Sequence, residues 1–182
     1  MTDTLTFKPV TPETVGDFEA LFEAKGAPKY CWCMAWRATA EELKDTSSAS
    51  RRQQMLGRIK GKVQVGLVAY RDEAPVGWVS VAPKENFRGL GGPEDARTVW
   101  SLTCMYVPRA QRKTGLSAEL IEAAASYARK QGAEVLEAYP VDPDSPSYRF
   151  MGFVPAFERL GFEAVGREGK RRHVMRLALE TA

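Results

Sequence analysis

The stretch Val107-Pro-Arg-Ala-Gln-Arg-Lys-Thr-Gly-Leu-Ser-Ala-Glu-Leu120 passes from a strand pattern to a helix pattern within a few residues. Its turn carries Arg109, Arg112 and Lys113 and ends at Gly115, which can adopt a positive φ or let a ligand approach the backbone. The first N–H groups of a helix lack intrahelical acceptors and carry partial positive charge, so they favour a phosphate. The stretch predicts a phosphate-binding turn. A basic, solvated helix start is the open alternative.

Two other phosphate-binding loops are not found in the chain. The stretch from Gly57 to Val63 lacks the spacing of Gly-x-x-x-x-Gly-Lys-Ser/Thr and ends in valine. The glycines of Gly89-Leu-Gly-Gly lie in a loop rather than directly after a strand, so they do not form a dinucleotide-binding turn. The turn after Val107 is therefore the candidate anion site of this sequence.

Hydrophobic periodicity on either side of this turn predicts the order β, α, α, β, β, β, α, β, α, β, β. The predicted strands are 4–8, 63–69, 76–82, 99–107, 134–141, 162–167 and 172–179. The predicted helices are one starting at Thr11-Pro12-Glu13 and ending before Gly26, a capped stretch after Thr39, and 47–59, 114–131 and 153–160, with loops at 83–97 and 142–149. We expect one α/β (α+β) domain over 1–182, with a mixed, mostly antiparallel twisted sheet and helices on both faces.

Composition narrows the classes of function. The chain has 182 residues and a formal net charge of +3, which suits one domain with an anionic ligand better than a nucleic-acid surface. No apolar run approaches the length needed to cross a bilayer. The odd cysteine count and the lack of an apolar signal segment predict reduced thiols and a cytoplasmic location, with no membrane partner.

Two signatures at the right separation resemble the GNAT family of N-acetyltransferases. Arg112-Lys-Thr-Gly-Leu-Ser117 resembles the family's Arg-x-x-Gly-x-Gly/Ala turn, with Ser in the last place. Phe157-Glu-Arg-Leu-Gly161-Phe162 resembles its aromatic-x-x-x-Gly-Phe element, and Arg172-His-Val-Met-Arg-Leu resembles its last strand. The resemblance covers most of the chain and implies a GNAT-like acyl-CoA-binding fold.

The resemblance implies acetyl-CoA as co-substrate and no metal. The backbone of Met105, Tyr106 and Val107 would pair with the pantetheine arm, and the N–H groups of 112–117 would hold the pyrophosphate. The strands flanking the helix would splay apart, as Pro140 suggests by lacking a ladder donor. The expected cofactor-binding residues are Met105, Tyr106, Val107, Arg112, Lys113, Thr114, Gly115, Leu116, Ser117 and Phe157.

The catalytic residues depart from the family's pattern. The strand 99–107 has no carboxylate where the family often has Glu, so Glu137, Asp142 and Glu85 are the candidate bases, alternatively surface carboxylates. The family's Tyr, which protonates the leaving thiolate, is Phe157 here, and its frequent Asn falls on Phe150. Tyr148 and Tyr139 are the candidate substitutes, and solvent is the alternative.

Aromatic residues and thiols are the candidates for the acceptor pocket. We expect Trp32, Cys33, Trp36 and Tyr139 to bind substrate, with core packing as the alternative for the tryptophans. Cys31-x-Cys33 is not expected to bind metal, since there is no second Cys pair and His173 is the only histidine. Cys104 is expected to be a core thiol. The basic residues Arg51, Arg52, Arg58, Lys60 and Lys62 predict a solvated helix face.

The predicted function is direct transfer of the acetyl group of acetyl-CoA to an amine of a small-molecule or peptide acceptor. The alternative is a non-catalytic acyl-CoA-binding sensor or assembly domain of the same fold, and a nucleic-acid-binding module is the weakest reading. Acidic residues in the loops 83–97 and 141–147 favour a cationic acceptor. Exposed strands in this fold often pair between subunits, so a homodimer is a further expectation.

Overall fold

The computed structural model describes residues 4–180, in which seven strands form one open sheet. The strands are β1 (Leu5–Pro9), β2 (Gly66–Arg71), β3 (Ala74–Pro83), β4 (Val99–Tyr106), β5 (Val135–Ala138), β6 (Glu163–Glu168) and β7 (Arg172–Ala178). Their order across the sheet is β1-β2-β3-β4-β5-β7-β6. β4 and β5 run parallel and every other neighbouring pair is antiparallel, so the predicted mixed, mostly antiparallel sheet is confirmed.

Helices cover both faces of the sheet, as predicted. They are α1 (Val15–Glu23), α2 (Ser48–Lys60), α3 (Leu116–Lys130) and α4 (Val154–Arg159). Val68 and Trp78 belong to the core under α1 and α2, whereas Leu67 and Val79 belong to the core under α3 and α4. Because successive strand residues point to opposite faces, each central strand contributes to both cores.

The start of α1 differs from the prediction. The helix begins at Val15 and not directly after Thr11. The Thr14 hydroxyl accepts a hydrogen bond from the Thr11 N–H at 2.9 Å and donates one to the Pro9 carbonyl at 2.9 Å. These bonds close a separate turn before the helix can start.

The predicted capping box is present but caps only a short turn. The Thr39 N–H donates to Glu42 Oε1 at 2.9 Å, and the Glu42 N–H donates to the Thr39 hydroxyl at 3.2 Å. A single 3₁₀ turn, Glu42–Lys44, follows, because Asp45 is extended and ends it. The longer predicted helix at 47–59 is observed as α2, with Ser47 accepting from the Ser50 N–H at its start.

β5 pairs with only the first half of β4. Their pairing ends at Leu102 opposite Ala138, where β5 stops, while β4 continues to Tyr106 with only β3 beside it. β5 is thus shorter than the predicted strand 134–141, and Pro140 follows its end. Proline lacks a backbone donor and suits a place where pairing stops. The divergence leaves one edge of β4 without a strand partner.

A bulge in β4 lies directly beyond this point. Leu102 is opposite Val81 and Cys104 is opposite Ser80, so Thr103 is the extra residue. A bulge changes the direction of the side chains that follow it. Cys104 is accordingly partly buried: it packs against the core under α1 and α2 and also borders a cleft, so the expectation of a core thiol holds in part.

Candidate functional site

A cleft of about 800 Å³ opens where β4 and β5 diverge. It is enclosed by the segment 26–35, by the end of β4 with the turn after it, and by residues 149–156. The described lining residues are Phe22, Gly26, Ala27, Pro28, Tyr30, Cys31, Cys33, Ala35, Arg51, Cys104, Met105, Tyr106, Val107, Gln111, Arg112, Lys113, Gly115, Leu116, Ser117, Arg149, Phe150, Gly152, Phe153 and Ala156. This lining includes four basic side chains and no Asp, Glu or His.

The turn at the start of α3 borders the cleft with its backbone. Gly115 has φ +82° and Lys113 has φ +64°, so the helix begins at Leu116 rather than at residue 114. Among the described residues, none accepts a hydrogen bond from the backbone N–H groups of 113–117. A side chain at Gly115 would meet no atom within 4 Å. The turn therefore presents unpaired donors next to open space, which is a favourable place for an anion.

Two hydrogen bonds hold this turn in shape. The Arg112 Nε–H donates to the Val107 carbonyl at 3.2 Å, and the Thr114 hydroxyl donates to the Gln111 carbonyl at 2.6 Å. The second bond directs the Thr114 side chain into the turn. Thr114 consequently does not line the cleft, although it was predicted among the cofactor-binding residues.

Most of the predicted cofactor-binding residues border the same cleft. Those that do so are Met105, Tyr106, Val107, Arg112, Lys113, Gly115, Leu116 and Ser117. Phe157 does not, because it is fully buried with its ring centroid 5.1 Å from that of Phe162. Phe153, one turn before Phe157, and Ala156, directly before it, border the cleft instead.

Cys33 is the one predicted substrate-binding residue that lines the cleft. Its neighbour is Arg37, a guanidinium only 3% exposed, whose Nη1 donates to the Cys33 carbonyl at 2.8 Å and to Cys33 Sγ at 3.2 Å. Arg37 Nη2 donates to the Val65 carbonyl at 2.6 Å and to Ser80 Oγ at 2.8 Å. Within residues 4–180, no carboxylate pairs with Arg37.

These surroundings stabilise the anionic form of Cys33. The hydrogen bond with the Cys104 thiol, followed by the charge of Arg37, lowers the pKa of Cys33 to about 5 against the opposing effect of burial. The same hydrogen bond and burial raise the pKa of Cys104. Burial and the neighbouring Cys33 raise the pKa of Cys31. Of the three thiols around the cleft, Cys33 is therefore the one that ionises first.

The two predicted tryptophans lie in cores. Trp32 is 2% exposed and stacks on Phe22, with ring centroids 5.5 Å apart. Trp36 packs beside the core around Phe87, with the Arg172 guanidinium 4.6 Å from its ring centroid. Neither borders the cleft among the residues described, so the packing alternative describes their positions.

Glu137 and Tyr139 belong to a buried network away from the cleft lining. Glu137 is 0% exposed and accepts from Lys84 Nζ at 2.6 Å, from Arg176 Nε at 2.7 Å and from the Tyr139 hydroxyl at 2.6 Å. The Tyr139 oxygen also shares a hydrogen bond with Ser101 Oγ at 2.7 Å. Burial and the nearby Glu137 raise the pKa of Tyr139. These contacts connect β5 to β7 and to the loop 83–97.

The other predicted acid and base residues also lie outside the lining. Asp142 Oδ1 is 3.0 Å from His173 Nε2. Glu85 borders a separate cavity beside Asp95. Tyr148 is exposed with φ +58°, and its ring centroid is 6.3 Å from that of Trp36. These side chains therefore do not meet at the cleft.

Several lining residues were not expected from the sequence. Tyr30 and Phe150 are exposed aromatic residues at the cleft, and Arg51 and Arg149 add charge beside them. They come from three segments far apart in sequence, so no spacing pattern could have joined them. Cys31, a thiol of the expected acceptor pocket, also lines the cleft.

The basic face of α2 is partly neutralised by carboxylates. Arg52 pairs with Glu19 and Glu23, and Arg58 pairs with Glu42 at 2.7 Å. In the part of the chain that the structure describes, no helix is both long and apolar enough to cross a membrane.

Comparison with solved structures finds the same fold at low sequence identity. An uncharacterized protein from Bacillus halodurans is 15% identical with a TM-score of 0.64, over 97% of this chain and 84% of that one. A GNAT-family acetyltransferase from Streptococcus pneumoniae is 13% identical with a TM-score of 0.57, over 97% and 100%. An N-acetyltransferase from Thermoplasma acidophilum, solved with coenzyme A, is 12% identical with a TM-score of 0.55, over 96% and 99%.

Sequence comparison points the same way. Comparison with curated protein sequences finds no match. The profile of the Acetyltransferase (GNAT) family matches residues 19–162, which is most of the chain and includes the turn at Gly115. With this match, the open mixed sheet and the diverging central strands, the chain belongs to the GNAT family of acetyltransferases.

Proposed function

We propose that this protein transfers the acetyl group of acetyl-CoA to an amine by direct attack of the amine on the thioester. The observation that carries the proposal is the unpaired N–H groups of 113–117, which border a cleft of about 800 Å³ beside the part of β4 that β5 does not pair with. The pyrophosphate would bind these donors together with Arg112 and Lys113. The pantetheine arm would pair with the free edge of β4 at Met105–Val107.

The charge of the cleft bears on the acceptor. Its described lining has Arg51, Arg112, Lys113 and Arg149 and no carboxylate. The acidic loops that suggested a cationic acceptor do not line the cleft, since Asp95 pairs with Arg97 and Arg176, and Asp142 lies against His173. We therefore propose a small amine or a peptide amine without further positive charge. We also propose that the protein can form a homodimer through β6, which is an exposed strand at the edge of the sheet.

The leaving thiolate needs a proton, and Phe157 cannot supply one. Of the two predicted tyrosines, Tyr148 is better supported, since its neighbours Arg149 and Phe150 border the cleft and its own side chain is exposed. Tyr139 already shares its hydroxyl with Glu137 and Ser101. We propose Tyr148 or solvent as the source of the proton.

Acetyl-CoA binding tests the proposal most directly. Calorimetry would compare wild type with the double variant Arg112→Ala/Gly115→Glu, which removes a cation and adds a carboxylate at the turn. We expect clear binding by wild type and its loss in the variant. The matched control is Arg129→Ala/Gly132→Glu at the other end of α3, where Gly132 also has a positive φ and open space. It makes the same chemical changes away from the cleft, so its affinity should stay close to wild type.

Absence of binding to wild type would contradict the cofactor assignment. Equal loss in both double variants would show that the loss comes from the helix and not from the anion site. The alternative of a non-catalytic acyl-CoA-binding domain rests on Phe157 and on a β4 without a carboxylate. Steady release of free CoA thiol in the presence of an amine distinguishes the two functions, because a binding domain would release none.

A further inference from the structure

The proposed reaction needs a proton acceptor inside the cleft. Most amines are protonated at neutral pH, with pKa values near 10, and an ammonium nitrogen cannot attack a thioester. The described lining of the cleft contains no aspartate, glutamate or histidine. Its ionisable side chains are those of Tyr30, Cys31, Cys33, Arg51, Cys104, Tyr106, Arg112, Lys113 and Arg149.

The buried Arg37 indicates where a negative charge is held. A guanidinium taken out of water is costly unless an anion pairs with it. Besides Cys33 Sγ at 3.2 Å, Arg37 donates only to neutral oxygens of Cys33, Val65 and Ser80. The sulfur of Cys33 is therefore the partner that can neutralise it. The fully buried Trp78 indole N–H has no hydrogen-bond partner among the described residues.

The position of Cys33 places this charge beside the expected thioester. Cys33 belongs to the core under α1 and α2, and Cys104, which follows the β4 bulge at Thr103, packs against the same core. β4 loses its pairing with β5 just before the bulge, and both cysteines line the cleft that opens there. Trp32 and Cys33 also have φ values of +48° and +56°, which non-glycine residues rarely adopt and which occur often at functional sites.

We infer that Cys33, as a thiolate held by Arg37, binds the ammonium group of the acceptor and accepts its proton; this rests on the proposed acetyl transfer. The thiolate takes one proton and becomes a thiol, leaving a neutral amine. The nitrogen lone pair forms the C–N bond, and the C–S bond to CoA breaks. The second amine proton passes to water, and the CoA thiolate takes a proton from Tyr148 or water, as proposed above; Tyr148 would regain its proton from water. Cys33 then returns its proton to water. Arg37 is a positioning residue that acts through the sulfur.

The groups around Cys33 define what a pH profile would report. On its own segment they are Cys31 and Arg37, from β4 Cys104, and from β3 the uncharged Trp78 and Ser80. Burial raises the pKa of Cys31, and the hydrogen bond with Cys33 raises that of Cys104, so neither thiol ionises at neutral pH. An ionisation on the acid side of neutrality therefore belongs to Cys33.

The test compares Cys33→Ser with Cys33→Asp and with the matched control Cys31→Ser at the same cleft. Serine has no ionisation in this range, and aspartate restores an anion of similar size. We expect kcat/KM for the amine to fall about 100-fold in Cys33→Ser, with recovery in Cys33→Asp. Cys31 also lines the cleft, so the control readout of Cys31→Ser is the shape of its pH profile, which should stay that of wild type whatever its rate. Wild-type kcat/KM should fall as the pH drops towards 5, and this limb should vanish in Cys33→Ser. Acetyl-CoA affinity and the thermal midpoint check that each variant is folded.

Thiolate absorbance near 240 nm provides a readout independent of turnover. Wild type should show one thiolate at pH 7 that is lost in Cys33→Ser and kept in Cys31→Ser. Absence of that thiolate overturns the inference, as does a Cys33→Ser variant with wild-type rates and an unchanged pH profile. Both results leave the proposed function intact if wild type still releases CoA with an amine. A wild type that does not bind acetyl-CoA overturns both.

Discussion

At the scale of single residues, Glu137 is held by three partners at once and is 0% exposed. Glu137→Gln would leave Lys84 and Arg176 beside a neutral amide. Removing one member of a buried ion pair costs about 3–5 kcal/mol, so we expect the free energy of unfolding to fall by about 3 kcal/mol. The rate of acetyl transfer in the remaining folded protein should change little, because Glu137 does not line the cleft. Urea denaturation and thiol release measure the two effects.

Glu158→Gln is the control for this prediction. Glu158 is an exposed carboxylate on α4, and its replacement should change the free energy of unfolding by less than about 0.5 kcal/mol. A Glu137→Gln variant as stable as this control but strongly impaired in turnover would contradict the structural role. Glu137 would then again be the candidate catalytic base.

At the scale of elements, replacing two glycines by alanine should have opposite effects on stability, one through backbone freedom and the other through close packing. Gly57 lies in the interior of α2 with open space around it, so Gly57→Ala should raise the free energy of unfolding by about 0.5–1 kcal/mol. Gly152, in the turn before α4, has φ +93°, and a Cβ there would lie 2.6 Å from Phe157 Cε2 and 2.9 Å from Met105 Cε. Because Phe157 is fully buried, Gly152→Ala should cost about 3 kcal/mol.

Thermal and urea unfolding of the two variants check the opposite signs. Acetyl-CoA binding should weaken only in Gly152→Ala, since Gly152 and Met105 border the cleft and Gly57 does not. A Gly152→Ala variant with wild-type stability would mean that Met105 and Phe157 move aside at no cost. The packing described between β4 and α4 would then be wrong.

At the scale of the whole molecule, ion pairs that connect distant segments make the fold sensitive to acid. Glu42 joins the 3₁₀ turn to α2, and its hydrogen bonds from Arg58 lower its pKa to about 2. Hydrogen bonds from Arg97 and Arg176 likewise lower the pKa of Asp95, which joins the loop 83–97 to β7. A carboxyl with a lowered folded-state pKa stabilises the fold above its unfolded pKa. That stabilisation is lost as the pH falls through the folded value.

We expect the contribution of these carboxyls to wild-type stability to be level above pH 5 and to fall between about pH 4.5 and 2. Glu42→Gln should lower stability at pH 7 and flatten this fall, because glutamine does not titrate. Glu41→Gln is the matched control, since Glu41 is largely exposed and pairs only with exposed Lys44. Urea midpoints at pH 7 and pH 3 measure the difference. If the urea midpoint fell by the same amount from pH 7 to pH 3 in the two variants, the role of Glu42 would be contradicted.

Local patterns predicted the turn at Gly115 and most of the strands and helices. The strand-to-helix change after Val107 and the alternation at 76–82 and 172–179 are properties of neighbouring residues, which the chain expresses wherever it folds. Helix ends were predicted less well, because hydrogen bonds such as that between Thr14 and Thr11 compete with helix formation.

By itself, the sequence determined the order of elements, the mixed sheet and the turn at Gly115, because these follow from side-chain period and backbone chemistry over a few residues. Only the tertiary structure decided which side chains meet. It buried Glu137 among cations, packed Trp32 in a core and Trp36 against one, and brought Cys33 and Cys104, more than 70 residues apart, to the same core. The chemical role of a side chain depends on its burial and on partners distant in sequence, and neither can be inferred from the spacing of residues along the chain.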